Sequence, residues 1–345
     1  MTDNDMYNNT DVPAAVKPST KNRKTKIICV LLLFVLVFVL MQTVPGFADT
    51  VYRLAGVTQT NVDAAAQIEG PTKAHIIDVG QGDALLLEQD GEFALIDAGP
   101  PDARDDLVAY LRAVGVRRLI YVFMTHPHAD HIGGMQAIVE NFEVDRLVLP
   151  DFEKAPYPTT QIFLKLLEAV DAAGLRAETA REGKVYTLGG AKITVLQAGV
   201  ETRDNYNLLS LVLRFDAENF SLLSTGDAEK ANETALLNAG ANLRVQVLVL
   251  GHHGSSTSNH RAFLEAVHPA LAIASCGKGN DYGHPHREVL SNLEDMGVPM
   301  LRTDLDGTVV VGPQSSGLVY RTTVSRPQAA LPPAPLKRRC SARAA

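Results

Sequence analysis

The sequence predicts an α/β fold in which helices cover mixed β-sheets. Short apolar runs with strand character alternate with amphipathic helical segments through the middle of the 345-residue chain, and this alternation is typical of sheets covered by helices. Two closely spaced turns at the start of the body predict hairpins. We therefore expect sheets of mixed strand direction in a domain over residues 71–325.

The first predicted elements are strands separated by tight turns. Ala74–Val79 and Ala84–Glu88 are joined by the turn Gly80–Asp83, and Phe93–Asp97 follows a turn at Asp90–Gly91. The later predicted strands are residues 119–124, 192–196, 208–215, 220–224, 245–250 and 271–275.

The helices are predicted from apolar spacing and from the glycines that end them. Over residues 102–114 the apolar side chains recur on one face, and Gly115 stands where a C-cap glycine is expected. A second amphipathic helix is predicted over residues 160–173 and stops at Gly174. The remaining predicted helices are residues 228–239, 258–267 and 286–296.

The N-terminal part carries a membrane or export signal. A polar leader over residues 1–26 ends in a basic run, and an apolar segment over residues 27–44 follows it. This order keeps the leader in the cytoplasm and sends the body across the membrane. The wholly apolar run is 15 residues, which is short for a span of about 20 and suits a signal peptide. A single-pass anchor with the catalytic domain outside and a secreted, cleaved form both remain open, with residues 45–70 as a linker.

Charge and cysteine content narrow the classes of function. The net charge is −7, and residues 70–325 hold 21 Lys and Arg against 33 Asp and Glu. So acidic a body gives no broad electrostatic attraction to nucleic acid. The Pro-rich basic tail, residues 326–345, is expected to be disordered. Cys29 lies in the apolar segment and Cys340 in this tail, so no disulfide framework is expected.

Three segments place metal-binding residue types directly after apolar strands. The first is Thr125–His131, which supplies three imidazoles and a carboxylate, a set that suits zinc, manganese or iron. The others end in Gly226-Asp227 and in Gly251–Ser255, which contains two histidines. Taken alone, the aspartate reads as a helix cap and the histidine pair as structural. Together with the first segment they indicate a metal site.

These motifs resemble the metallo-β-lactamase superfamily, which has His-x-His-x-Asp-His after a strand and then Thr-Gly-Asp and Gly-His-His-Gly-Ser. Asp78–Ala84 and Tyr282–His286 are more specific. They resemble the extracytoplasmic hydrolase domain of ComEC competence proteins, and the similarity runs over residues 72–312. The many membrane segments of ComEC are not found in this sequence, which has one apolar segment.

The resemblance implies a four-layer αββα sandwich of two mixed sheets, with two divalent metal ions, zinc or manganese, at one edge. It implies a first metal held by His126 and His128, a second held by Asp130, His131 and His252, and a bridging Asp227. Asp97 matches a carboxylate that orients ligands by hydrogen bonding. His253 is the alternative to His252 and cannot be separated from it by sequence.

One departure from the superfamily pattern concerns the first metal. No histidine occurs between His131 and His252, and Asp204–Ser210 stands where a further histidine ligand is usual. An oxygen ligand there, from Asn207 or Asp204, would shift the preference of the site from zinc toward manganese.

The expected chemistry is hydrolysis by a hydroxide shared between the two metals, with Asp130 essential for it. His284 is the candidate proton donor to the leaving group, and His253 is the second choice. Gln81 and Asp83 lie in a loop that either presents amides to a phosphate or only connects two strands.

The resemblance to ComEC implies an exported DNase, with possible partners in the competence or DNA-uptake machinery. Three other functions remain open: a small-molecule or cell-surface phosphodiesterase like the phosphorylcholine esterases, a lactonase or β-lactamase, and a non-catalytic surface module. The presence of both Asp130 and Asp227 disfavours the non-catalytic surface module, because a site that has lost its activity does not need these carboxylates.

Overall fold

The structure, a computed structural model, describes residues 68–315 and 317–324. The leader, the apolar segment, the tail and most of the linker lie outside these residues. The predictions of a membrane or export signal and of a disordered tail therefore concern residues that the structure does not describe. Within the described residues, no helix has both the length and the apolarity that crossing a bilayer requires.

The described chain contains seventeen strands and eight α-helices. The strands are β1 (Thr72–Ile76), β2 (Leu85–Gln89), β3 (Glu92–Ile96), β4 (Arg118–Leu119), β5 (Tyr121–Phe123), β6 (Glu143–Val144), β7 (Leu147–Leu149), β8 (Ala177–Thr179), β9 (Val185–Leu188), β10 (Ala191–Ala198), β11 (Leu211–Ala217), β12 (Phe220–Ser224), β13 (Val247–Val249), β14 (Leu271–Ala274), β15 (Met300–Arg302), β16 (Val309–Gln314) and β17 (Gly317–Thr322). The helices are α1 (Arg104–Ala113), α2 (Ala129–Ile132), α3 (Met135–Asn141), α4 (Gln161–Ala172), α5 (Lys230–Asn238), α6 (Arg261–Val267), α7 (Arg287–Asp295) and α8 (Thr303–Asp306).

The strands form two large sheets, and both are mixed. The first has the order β17-β16-β1-β2-β3-β5-β7-β8 and the second β15-β14-β13-β12-β11-β10-β9, while β4 and β6 form a separate pair. In the first sheet the strands from β3 to β8 are parallel and the others antiparallel. In the second, β12 to β15 are parallel and β9 to β12 antiparallel. The predicted mixture of strand directions is confirmed.

Three apolar layers hold the two sheets and their helices together. The central layer, which includes Phe123 and Phe215, is built from the facing sides of both sheets. A second layer joins the first sheet to α1, α3 and α4 and includes Phe163. A third joins the second sheet to α5, α6 and α7 and includes Phe263. The αββα sandwich implied by the sequence motifs is therefore confirmed, since each sheet buries one face on the other sheet and one on helices.

One predicted strand begins later than expected. Residues 208–215 were expected to be extended, but Tyr206–Leu209 form a 3-10 turn and β11 starts only at Leu211. The side chain of Asn205 caps this turn by accepting a hydrogen bond from the amide of Asn207 at 3.0 Å. The local side-chain bond competes with the strand pattern and brings Asn207 toward the metal-ligand candidates.

The strand directions place all the metal-suited motifs at one edge of the sandwich. In the first sheet, β3 and β5 run parallel, so the loops that follow them emerge side by side. In the second sheet, β12, β13 and β14 are also parallel. The five loops meet where the two sheets adjoin, at the carboxyl ends of these strands.

Candidate metal centre

The loop after β5 is fixed by Asp97, which follows β3. The two carboxylate oxygens of Asp97 accept from the amide of Thr125 at 2.9 Å and from its hydroxyl at 2.6 Å. Behind the loop, a Cβ added at Gly133 would collide with Pro101, and one at Gly134 would collide with the carbonyl of Ala98. The two glycines thus permit a backbone approach that brings the histidine loop against the β3 loop.

Two imidazoles and one carboxylate form the first group. The Nε2 atom of His126 lies 2.9 Å from Nδ1 of His128 and 3.7 Å from Oδ2 of Asp227. These three residues can direct one donor atom each at a common point. The structure therefore brings together the three residues that sequence reasoning assigned to the first metal and to the bridge.

The second group uses the other oxygen of the same carboxylate. Oδ1 of Asp227 lies 3.1 Å from Nε2 of His131 and 3.7 Å from Nε2 of His253. Oδ2 of Asp130 lies 3.2 Å from Nε2 of His253 and 3.9 Å from Nε2 of His131. Asp227 thus faces both groups, one oxygen to each.

The distances show that His252 and His253 face different groups. His253 is the one that faces Asp130, whereas Nε2 of His252 lies 3.5 Å from Oδ2 of Asp227, on the side of the first group. Both residues have a left-handed backbone, with φ of 51° and 57°, and this turn sends their side chains in different directions. The geometry favours His253 as the histidine of the second group, where the sequence had favoured His252.

Asn207 supplies an oxygen beside the first group. Its Nδ2 donates to Oε1 of Glu229 at 3.0 Å, which leaves Oδ1 as the free acceptor, and the residue lines the cleft that contains His128 and Asp227. Asp204, the other oxygen ligand considered from sequence, is exposed to solvent.

Unsatisfied buried atoms test whether these residues fit a cation. Nε2 of His131 and Oδ1 of Asp227, which lie 3.1 Å apart, and Oδ1 of Asn207 are buried, and none of the three forms a hydrogen bond of good geometry. Such atoms are rare because an unmet buried polar group costs about 1–3 kcal/mol. Imidazole nitrogens and carboxylate oxygens converging in this way match the ligand preferences of zinc, manganese and iron. The residues present therefore fit divalent cations.

The charges of the site are strongly coupled. Burial opposes a charge on His131, but Asp227 and Asp97 outweigh it and raise the pKa of His131 well above its usual value. Burial likewise opposes a charge on His253, but Asp227 and Asp83 raise its pKa to about 10. Burial alone would raise the pKa of Asp227, yet the surrounding imidazoles hold it well below its usual range. Metal ligands must be deprotonated, so binding of a cation would release any protons that these imidazoles carry.

Two acidic side chains orient the imidazoles from behind. Asp97 Oδ2 accepts from Nδ1 of His131 at 2.8 Å. His253 Nδ1 lies 3.0 Å from the carbonyl of Ser275 and 3.2 Å from Oδ1 of Asp83. In both histidines these contacts leave Nε2 for the metal site.

Two side chains of the loop after β1 contact histidines of the site. Asp83 is buried against His253 and does not reach the cleft. The amide of Gly80 donates to Asp78 and that of Asp83 donates to the carbonyl of Asp130, so neither is free for a phosphate. Gln81 does line the cleft, where its Nε2 lies 3.4 Å from Nδ1 of His284.

An open cleft of about 340 Å³ leads to both groups. It is lined by Gln81, His128, Ala129, Asp130, Asn207, Asp227, His252, His253, Tyr282 and His284. Two groups that contact the candidate metal ligands were not predicted from the sequence. Glu229, which binds Asn207, follows the Thr-Gly-Asp motif closely enough to have been considered. The carbonyl of Ser275, which contacts His253, is a backbone atom and leaves no sequence signature.

The two adjacent histidines give a direct test of the second group. We expect His253→Gln to lower the bound metal by about one ion per chain, because it removes a nitrogen from a tetrahedral-type donor set. His252→Gln is the matched control and should retain the ion near Asp130. Metal content is measured by mass spectrometry after dialysis, and a His253→Gln chain that keeps the full metal content of the unaltered chain would contradict the assignment.

Comparison with known proteins finds one matching family and several similar proteins. The family profile described as "Metallo-beta-lactamase superfamily" matches residues 77–278. ComE operon protein 3 of Bacillus subtilis is 32% identical over 254 residues, which cover 68% of this chain and 32% of that protein. Competence protein ComA of Neisseria gonorrhoeae is 33% identical over 264 residues, covering 76% of this chain and 35% of that protein.

A further relative is Recombination protein 2 of Haemophilus influenzae. It is 29% identical over 252 residues, which cover 71% of this chain and 29% of that protein. The chain thus spans about a third of the length of the curated relatives it matches.

Proposed function

Because the chain belongs to the metallo-beta-lactamase superfamily and has competence proteins among its relatives, we propose that it is a metal-dependent phosphodiester hydrolase that cleaves DNA. The resemblance to ComEC-like competence proteins is confirmed by these relatives. The nuclease activity, the export of the domain and its part in DNA uptake belong to the proposal.

The observation that carries the proposal is the position of Asp227 between the two groups. One oxygen faces His126 and the other faces His131 and His253, so a single carboxylate would bridge two cations. We propose zinc or manganese, with Asn207 as an oxygen ligand of the first cation. A bound cation pair supplies activation of water at neutral pH and neutralises charge on the phosphate.

Asp130 and His253 both have the role of metal ligands in this proposal. Asp130, on the cleft side of the second group, completes that group together with His131 and His253. His253 is buried and contacts acidic groups through both nitrogens. It therefore acts as a ligand in this proposal and no longer as an alternative proton donor.

His284 is a buried imidazole that lines the cleft. Burial and the neighbouring His253 and His252 lower the pKa of His284 to about 4, which favours the neutral ring over the protonated proton donor considered from sequence. Gln81 defines which of its nitrogens bears hydrogen. The amide of Gly277 donates to Oε1 of Gln81 at 3.0 Å, which turns the Gln81 Nε2 donor toward Nδ1 of His284. His284 then offers its Nε2–H as a hydrogen-bond donor to the substrate.

Reversing this tautomer should slow the reaction. In Gln81→Glu, a carboxylate oxygen would replace the amide donor, and Nδ1 of His284 would have to carry the hydrogen instead. We expect kcat to fall about 10–100-fold, the range seen when a residue orienting a site group is lost, with metal content unchanged. Steady-state kinetics with metal-loaded protein measure the effect, and a variant with wild-type kcat would reject this role for Gln81.

Location and partners complete the proposal. The basic leader and the apolar segment over residues 27–44 support a domain outside the cytoplasm, either anchored by one membrane pass or secreted after cleavage. Names such as "Competence protein ComA" support DNA as the substrate and an association with the uptake machinery.

A small-molecule or cell-surface phosphodiesterase is the second candidate. The acidic body favours it, because 33 Asp and Glu against 21 Lys and Arg over residues 70–325 repel a polyanion at long range. The two candidates differ in substrate and share the same metal chemistry.

One set of assays tests both candidates. The 345-residue chain is incubated with Mn²⁺ or Zn²⁺ and with labelled single-stranded DNA, labelled double-stranded DNA, bis-p-nitrophenyl phosphate and a chromogenic lactam. We expect DNA cleavage that disappears in Asp130→Ala. Cleavage of the small diester alone would favour the second candidate, DNA binding without cleavage would favour a surface module, and turnover of the lactam alone would reject both hydrolase proposals.

A further inference from the structure

Tyr282 lies at the mouth of the metal cleft with most of its ring in solvent. Its exposure of 66% is the highest among the exposed large hydrophobic side chains of the described residues, and it lines the same cleft as Asp130 and Asp227. Single exposed apolar side chains are common on protein surfaces. The location of this one, beside the proposed reaction centre, distinguishes it from the others.

The ring is backed by a second ring that reaches into the cleft. Tyr282 and His284 are stacked, with ring centroids 5.6 Å apart and planes inclined by 20°. His284 in turn lies 5.4 Å from the ring of His252 and 5.9 Å from that of His253. The rings of Tyr282 and His284 therefore form a continuous series of contacts from solvent to the metal-ligand candidates.

The loop that carries these rings is held by hydrogen bonds within the chain. Asn280 accepts from the amide of His284 at 2.9 Å and donates to its carbonyl at 2.8 Å. The carbonyl of Tyr282 accepts from Nε2 of His286 at 3.0 Å, whose Nδ1 accepts from the amide of Ser256 at 2.9 Å. These bonds hold the two rings in place, and a rigid platform lowers the ordering cost of binding.

A second exposed tyrosine provides a contrast. Tyr157 is 56% exposed, but its ring packs edge-on against Phe152 and Phe163 at 5.5 and 5.4 Å, and it does not line the cleft. Its aromatic contacts account for its position, whereas the ring of Tyr282 contacts His284 of the cleft and is more exposed.

We propose that Tyr282, backed by His284, is a stacking platform for a nucleobase next to the phosphate that is cleaved. The substrate of the cleft is then an unpaired strand of nucleic acid, because a base must leave its duplex neighbours to stack on a protein ring. This inference rests on the proposed phosphodiester hydrolysis. It also explains how an acidic domain could bind nucleic acid, since stacking is a short-range contact that needs no long-range attraction.

The test moves a single abasic residue along a labelled single-stranded oligonucleotide. With the metal-loaded 345-residue chain, we expect the cleavage rate to fall about tenfold when the abasic residue occupies one position near the cleaved bond. Tyr282→Ala should be slower by a similar factor on the intact strand and insensitive to the abasic residue at that position. Tyr282→Phe should behave like the unaltered chain, and Tyr157→Ala is the matched control, expected to keep its sensitivity.

Binding of the same oligonucleotides, followed by fluorescence anisotropy, separates failure of the platform from failure of the nuclease. Cleavage with equal abasic sensitivity in Tyr282→Ala and the unaltered chain would overturn the platform and leave the nuclease standing. Tyr282-dependent binding without cleavage under Mn²⁺ or Zn²⁺ would support the platform and reject the nuclease. A metal-loaded chain that neither binds nor cleaves single-stranded DNA would overturn both.

Discussion

Asp227→Asn is expected to lower kcat/KM for DNA cleavage by about 10³-fold, the loss that follows removal of one preorganised electrostatic group. The reason is the double role of this carboxylate, whose two oxygens face the two groups of imidazoles. The variant keeps the size of the side chain but replaces the carboxylate, whose negative charge is shared by two oxygens, with a neutral amide that has one oxygen, so we also expect weaker binding of both cations. Activity and metal content are measured on the same preparations.

Asp171→Asn is the matched control for this experiment, because Asp171 is exposed on α4 and contributes nothing to the cleft. A wild-type rate in Asp227→Asn, at full metal content, would remove the central support for the proposed reaction. A full loss of rate with an altered circular dichroism spectrum would report misfolding, so the spectrum is compared first.

Asp97→Ala is expected to lower the free energy of unfolding by about 3–5 kcal/mol, as for breaking a buried charged pair. Asp97 is 1% exposed, and its loss leaves Nδ1 of His131 and both donors of Thr125 without their acceptor. Because His131 also loses its orientation, we expect metal affinity to fall about 10–100-fold. Urea denaturation of metal-free protein measures the first effect, and metal titration measures the second.

Asp97→Asn separates these contributions. It keeps an oxygen that can accept from Thr125 and loses the negative charge beside His131, so its stability should lie between those of Asp97→Ala and the unaltered chain. A stability loss below about 1 kcal/mol in Asp97→Ala, the range of an ordinary hydrogen bond, would show that the carboxylate is not needed to hold the loop.

The sequence indicated that the histidine loop and Asp227 belong to one site because each follows an apolar strand, and the resemblance to the metallo-β-lactamase superfamily implied that they meet at one edge of the sandwich. It could not separate His252 from His253. Their directions depend on two consecutive left-handed residues, a backbone conformation that β-carbon-bearing residues adopt only when tertiary contacts enforce it. Here Asn259 supplies such contacts by binding both the amide and the carbonyl of Gly251.

Some of the strands that the sequence missed are short, although β16 and β17, which it also missed, have six residues each. Strands β7, β8 and β15 have three residues each, too few to display an alternating pattern, and neighbouring strands define them more than their own residues do. The burial of Asp83 could not be predicted from the sequence for a similar reason. Its burial depends on the packing of the β1–β2 loop under the histidine loop, where Gly82 leaves no room for a side chain beneath Asp130.

The junction of the two sheets at this edge has a consequence for the stability of the whole domain. His126 and His131 follow a strand of the first sheet, whereas Asp227 and His253 follow strands of the second. Cations held by both sets would act as a reversible cross-link that closes loops of roughly a hundred residues, and closures of that length restrict the unfolded chain most strongly. A chelator would then loosen the halves of the sandwich from each other as well as stop the reaction.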